Sequence, residues 1–176
     1  MKLIQWLLSL FQWPDIEPVQ RLGMSANGIA LLKHYEGLEL TAYRDVAGVL
    51  TIGYGGTENV EPGMTITAQG ADRLRNPLER DFVPGVFTAL TRAPNQHQFD
   101  AMCSLAYNVG VSAFARSTLV KRFNSGAMEA AADQFLVWHY AGKRSIKGLR
   151  KRRAAERMLF LGAEAKAANS VGDSTP

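Results

Sequence analysis

Three polar side chains early in the chain are of the types needed to cut a glycosidic bond. Glu36, Asp45 and Thr51 follow one another at intervals of nine and then six residues. Glycoside hydrolysis needs a carboxylic acid to protonate the leaving oxygen. It also needs a second carboxylate to steady positive charge on the sugar or to activate water. A hydroxyl that holds the water completes the set. Taken singly, each residue has a plainer explanation. A lone Glu near a helix end usually points to solvent, and Asp45-Val46-Ala47-Gly48 fits a type I turn with Asp first and Gly last. Only the joint placement of the three points to chemistry.

The elements that must position them are legible. From Asn27 to Glu36 the spacing is helical, with Ile29, Leu32 and Glu36 on one face, and Gly37 supplies a stop. Glu36 is therefore expected on the buried face at the negative end of a helix. Burial and the helix dipole both disfavour its charged form there. After the turn, Val49 to Tyr54 alternates. Leu50, Ile52 and Tyr54 share one face, and Thr51 lies on the other, where it is expected to point into open space.

This segment, with Thr51-Ile52-Gly53-Tyr54-Gly55 closing it, resembles the catalytic stretch of the phage-type lysozymes, glycoside hydrolase family 24. Gln98 to Ala101 and Tyr107 to Gly110 resemble that family's central helix. Phe114 to Leu119 and Asn124-Ser125-Gly126 resemble its next helix. Trp138, Ala141-Gly142, Gly148-Leu149, Arg152-Arg153 and Glu156 resemble its closing motif. The likeness runs from about Ala26 to Gly162, and several ordered blocks are more specific than any single motif. It implies an α+β class: a mostly helical, two-lobed lysozyme-like fold with a small antiparallel sheet in the N-terminal lobe. It implies cleavage of the β-1,4 bond between N-acetylmuramic acid and N-acetylglucosamine of bacterial peptidoglycan. By the same resemblance Glu36 is the general acid, Asp45 stabilises charge or helps activate water, and Thr51 positions that water. Tyr107 and Asn108 face the cleft as sugar contacts, the alternative being a core aromatic and a capping Asn. Arg152 is the cation placed to reach Glu36, where it would oppose the helix-end effect. A positioned water suggests inversion, although the deciding carboxylate separation is not a sequence property. One departure is Gly56, where relatives often carry a His.

Length and composition fit one domain, or two small lobes around a cleft. The chain has 176 residues, with 20 Lys and Arg against 16 Asp and Glu. The single Cys103 excludes an intramolecular disulfide and shares an apolar helical face with Phe99, Met102 and Ala106, as a buried spectator would. His34, His97 and His139 are scattered, so no metal and no cofactor is expected.

Three regions are expected. Residues 1–22 form an amphipathic helix and a linker, residues 23–162 the catalytic domain, and residues 163–176 a disordered tail. Within 1–13, Lys2, Gln5, Ser9 and Gln12 line one side, and the rest is a wide apolar face with Trp6 and Trp13. The run is shorter than the roughly 20 residues of a spanning helix, and no small-residue cleavage site follows it. Two readings stay open: an interfacial membrane helix, or a helix docked on its own body or a partner. Pro14-Asp15-Ile16-Glu17-Pro18 ends it. The expected place of action is the wall of the host bacterium, reached from its cytoplasm, with inner-membrane association through the same helix. The protein is expected to be monomeric.

Further on, Thr67 reads as an N-cap, and Leu74, Leu78 and Phe82 as a core stripe that Pro77 should kink or split. Asn95 with Gln98 reads as a capping box. Helices are expected from Ser117 to Phe123 and from Met128 to Tyr140, the second with Ala131, Ala132, Phe135 and Trp138 buried. Lys143 to Arg157 is rich in cations, mostly on a solvated face, with attraction to an anionic wall polymer as the functional alternative. Three rival readings remain: a lytic transglycosylase, a wall- or membrane-binding protein without catalysis, and nucleic-acid binding. The second carboxylate and hydroxyl argue against the first. The cations lack interleaved aromatics, which places nucleic acid last.

Overall fold

The computed structural model describes residues 23–45 and 47–175, and only the backbone of 72–81. The expected N-terminal helix and linker, and the side chains of Leu74 and Leu78, lie outside that description. Helix α1, Ala26–Glu36, starts on Ser25, whose hydroxyl accepts from the amide of Gly28, and stops at Gly37 with φ +73°. Strands β1, Glu39–Arg44, and β2, Leu50–Gly53, form an antiparallel hairpin. Glu39 stands opposite Gly53 and Tyr43 opposite Thr51. Helix α2, Ala68–Thr88, is capped by Thr67. It runs unbroken through Pro77, so the expected split does not occur. The helix is anchored at both ends, by the Thr67 cap and by Phe82, Val83 and Val86 in the core.

Central helix α3, Gln96–Val109, carries the full Asn95–Gln98 capping box and ends at Gly110. It is buried from Phe99 to Ala106. Short helices α4, Val111–Ala115, α5, Thr118–Asn124, and α6, Met128–Asp133, follow. The helix expected to reach Tyr140 ends at Asp133. A 3-10 turn, Gln134–Val137, and a small hairpin, β3 Tyr140–Ala141 with β4 Arg144–Ser145, replace its second half. Phe135 stays buried while Leu136 and Val137 face solvent. Helix α7, Lys147–Phe160, closes against α3.

The expected disordered tail is instead helix α8, Ala165–Ser174, packed on α1 and α7. Its buried stripe is Ala165, Ala168 and Gly172. Small residues let two backbones approach closely, so the stripe packs without the bulky apolar residues that announce a helix in sequence. A side chain at Gly172 would collide with the Tyr35 hydroxyl and lie 2.6 Å from the Lys151 carbonyl.

Two buried groups make the two lobes. Ile52, Tyr54 and Ala71 are buried but stand apart from the main core, which gathers residues of α1, the second half of α2 and α3 to α8. Helix α2 begins in the first group and ends in the second. Asp100, buried on α3, accepts from the amide and hydroxyl of Ser25 and from Gln96, which ties the start of α1 to the central helix. A Cβ at Gly28 would strike the Asp100 side chain.

Candidate active site

Glu36 is the last residue of α1, and Glu39 begins the hairpin, so the turn at Gly37 joins the two directly. Its side chain keeps 18% exposure, so one oxygen can still meet a ligand. The other is taken: Arg152 Nη1 donates to Glu36 Oε1 at 2.6 Å. Arg152 reaches it from α7, a turn from that helix's start, with its own side chain 5% exposed. Burial works against the charge on Arg152, but Glu156 and then Glu36 outweigh that and hold the guanidinium above its ordinary pKa.

Behind Arg152 lies a connected polar cluster. Arg152 Nε donates to Glu156 Oε1 at 3.0 Å, and Arg152 Nη2 donates to the Ser104 carbonyl at 3.1 Å. Ser104 Oγ donates to the same Glu156 oxygen at 2.7 Å. Arg153 Nη1 lies 2.7 Å from Glu156 Oε2, an ion pair without an aligned hydrogen bond. Arg153 Nη2 donates to Asn108 Oδ1 at 2.6 Å. Burial lowers the pKa of Arg153, with Glu156 opposing. Arg153 and Glu156 are fully buried, so the expectation of a mostly solvated basic face misses part of α7. The signal was present: Arg152 and Arg153 stand four and three residues before Glu156, the spacing at which helical side chains meet.

Asp45 holds its turn and keeps one oxygen spare. Its Oδ1 accepts from the amides of Ala47 and Val49 at 2.9 and 2.8 Å, and its carbonyl accepts from Gly48 at 2.9 Å. Gly48 has φ +81°, which the turn requires. Arg44 Nη1 donates to the Gly48 carbonyl and pins the loop further. The two readings of Asp45, turn-former and chemical group, are therefore compatible, since among the described residues the turn's amides bind Oδ1 rather than Oδ2.

Thr51 differs from expectation. Leu50 is half-buried and Ile52 and Tyr54 are buried, but Thr51 is itself only 4% exposed rather than pointing into open space. The second face of β2 is covered too. Its hydroxyl donates to the Val49 carbonyl at 3.0 Å. With its hydrogen committed, Thr51 Oγ1 can bind water only as an acceptor.

Tyr107 and Asn108 sit at the end of α3. The Tyr107 hydroxyl donates to the Tyr54 carbonyl at 2.7 Å, just past β2, and its ring meets Phe82 edge-on. Much of its role is therefore to join the lobes. Asn108 is exposed, and with Oδ1 held by Arg153 its amide hydrogens point away from that contact. Lys33 Nζ lies 5.3 Å from the Tyr54 ring centre, which further links α1 to the hairpin. A closed circuit results: α1 to the hairpin, the hairpin to α3, α3 to α7, and α7 back to Glu36. Gly56 pairs with Ile52 through two backbone hydrogen bonds at the hairpin's end.

The chain is similar to known proteins in sequence and fold. The family model described as Phage lysozyme matches residues 33–156. The endolysin of Salmonella phage P22 is 46% identical over 145 residues, spanning 78% of this chain and 97% of that protein. A crystal structure of a P22 lysozyme mutant superposes with a TM-score of 0.73 at 44% identity, covering 80% of this chain and 99% of the other. A SAR-endolysin of Bacteriophage PS119 is 36% identical over 131 residues, 72% of this chain and 76% of the relative.

Proposed function

The chain belongs to the phage lysozyme family, and from that premise we propose that Glu36, Asp45 and Thr51 perform the hydrolysis. It is a lysozyme-type glycoside hydrolase, an endolysin that hydrolyses bacterial peptidoglycan and acts on the cell wall. The bond cut joins C1 of N-acetylmuramic acid to O4 of N-acetylglucosamine.

The observation that carries the assignment of roles is the one-sided hold on Glu36. Arg152 occupies Oε1, so Oε2 is the oxygen that presents the proton outward. In the proposed step that proton passes to the leaving O4 as the C1–O4 bond breaks. The free Oδ2 of Asp45 faces positive charge growing on the sugar ring, or takes a proton from attacking water. Water, hydrogen-bonded to Thr51 Oγ1, adds to C1 through its lone pair and gives its other proton to Asp45 Oδ2; attack on the face opposite O4 inverts the centre. Asn108, held by Arg153, offers its amide hydrogens to a sugar carbonyl, and Tyr107 lines the same end of α3.

The test is product analysis with an acid-knockout control. Purified peptidoglycan should yield reducing muropeptides, and Glu36→Gln should abolish turbidity loss while keeping its melting temperature. Anhydro-muropeptides as the main products would make the enzyme a lytic transglycosylase. Full activity in Glu36→Gln would leave a wall-binding protein.

Residues 1–22 are proposed as a membrane-facing helix and linker ahead of a catalytic domain that begins at residue 23. The wide apolar face of residues 1–13 with its two Trp supports an interfacial position at the inner membrane, and kinship with a protein named SAR-endolysin agrees with it. The enzyme is then made in the host cytoplasm, works as a monomer, and meets its substrate on the far side of that membrane.

A further inference from the structure

We propose that Glu156 is a positioning residue that anchors two arginines at once, setting Arg152 on the acid Glu36 and Arg153 on the substrate-side amide of Asn108. The inference rests on the roles given above to Glu36 and Asn108. It adds to them a third carboxylate, one that touches neither sugar nor water.

The geometry carries it. Glu156 is fully buried on α7. Each of its two oxygens serves a different guanidinium. Oε1 receives Arg152 Nε at 3.0 Å, and Oε2 faces Arg153 Nη1 at 2.7 Å. From these anchors the forks point in two directions. Arg152 extends Nη1 to Glu36, and Arg153 extends Nη2 to Asn108, each at 2.6 Å. Ser104 locks the arrangement from α3. Its hydroxyl donates to Glu156 Oε1, and its carbonyl accepts from Arg152 Nη2.

A guanidinium is planar, with its donors in a fixed fork. Fixing one side of each fork therefore fixes the direction of the other. Without Glu156, Arg153 would be a buried charge with no carboxylate partner among the described residues, beside a second guanidinium paired only with Glu36. With Glu156, the two become rigid arms. One arm fixes which oxygen of Glu36 remains outward. The other fixes which face of the Asn108 amide does.

The two arms predict separate kinetic effects on soluble, uncross-linked glycan strands. Arg153→Met frees Asn108, so KM should rise about 3- to 10-fold with kcat little changed, the size expected when one ordinary net hydrogen bond to the substrate is weakened. Asn108→Ala should raise KM similarly. The pair Arg153→Met with Asn108→Ala should be no worse than Asn108→Ala alone, because Arg153 acts only through that amide. Additive effects on KM would overturn that arm. Glu156→Gln should affect both parameters, with kcat falling about 10-fold and KM rising. A folded Glu156→Gln protein with unchanged kcat and KM would overturn the proposal. If that variant does not fold, Ser104→Ala gives the second reading. It removes a donor from Glu156 Oε1 without changing charge, so kcat should fall severalfold at constant KM, and an unchanged kcat would overturn the Arg152 arm. Glu36→Gln separates the failures. If it retains turnover, the assignment of the acid is wrong and this inference goes with it. If it is dead while Glu156→Gln and Ser104→Ala behave as wild type, only the anchoring role fails.

Discussion

Arg152 meets Glu36 through one carboxylate oxygen, Nη1 to Oε1 at 2.6 Å, although a guanidinium can bind a carboxylate with two parallel hydrogen bonds. The other donors of Arg152 are drawn off to Glu156 and the Ser104 carbonyl. A forked grip would have occupied both oxygens of the acid. Arg152→Lys keeps the charge but cannot hold three directions, so kcat should fall about 10-fold or more. Circular dichroism would confirm that the variant is folded. Wild-type kcat in a folded Arg152→Lys protein would mean that charge alone suffices.

Thr51→Val separates the water-holding role from packing. The substitution keeps the branched shape in a buried position and deletes only the hydroxyl, whose structural bond to Val49 is worth about 1 kcal/mol. Turnover should drop about 100-fold, in line with loss of the group that positions the attacking water. Comparable loss of activity and of melting temperature would assign Thr51 to the fold instead.

Tyr35 gives the fold a dependence on alkaline pH. Burial, then the charges of Asp173 and Glu156, push its phenol from 10.0 up to about 12. The folded state therefore holds this proton more tightly than the unfolded chain. The resulting stabilisation is complete below pH 10.0 and is lost as pH rises toward 12. Melting temperatures measured across that window should decline, and the decline should be shallower in Tyr35→Phe. Equal slopes would show that other groups govern the alkaline limit.

Gly172→Ala tests the contact between α8 and the rest. The added methyl would meet the Tyr35 hydroxyl and the Lys151 carbonyl. Overpacking of this kind costs about 1–3 kcal/mol, readable in urea denaturation. A neutral result would mean that α8 shifts freely on its neighbours.

Removal of residues 1–13 should leave activity on bare peptidoglycan intact while lowering recovery with inner-membrane vesicles. Loss of solubility or of the folding transition would instead make the segment part of the core.

The helix end, turn and strand that carry Glu36, Asp45 and Thr51 were legible in the sequence because their signals are local. Gly37, the Asp45 turn and the Thr51 alternation each depend on neighbours a few residues away. The spacing of Arg152 and Arg153 before Glu156 was legible on one helix, but their burial and their contacts with Ser104 and Asn108 depend on α3, which periodicity cannot see. A charged run on α7 has the same pattern whether it faces water or another helix. Helix α8 escaped for a related reason. Alanine and glycine spell disorder by composition, yet they suit close helix contact when a surface like that of α1 and α7 is waiting. The burial of Thr51 was hidden by the assumption that a two-stranded hairpin has a free side.

Glu36 and the guanidinium that grips it come from opposite ends of the chain. A ribosome therefore releases the acid long before the helix that orients it. Prematurely terminated products have Glu36 without Arg152, Glu156 or their anchoring serine contact, and so lack an assembled centre. For an enzyme whose substrate encloses the very cell that translates it, a competence that arrives only with the last helices keeps unfinished copies harmless.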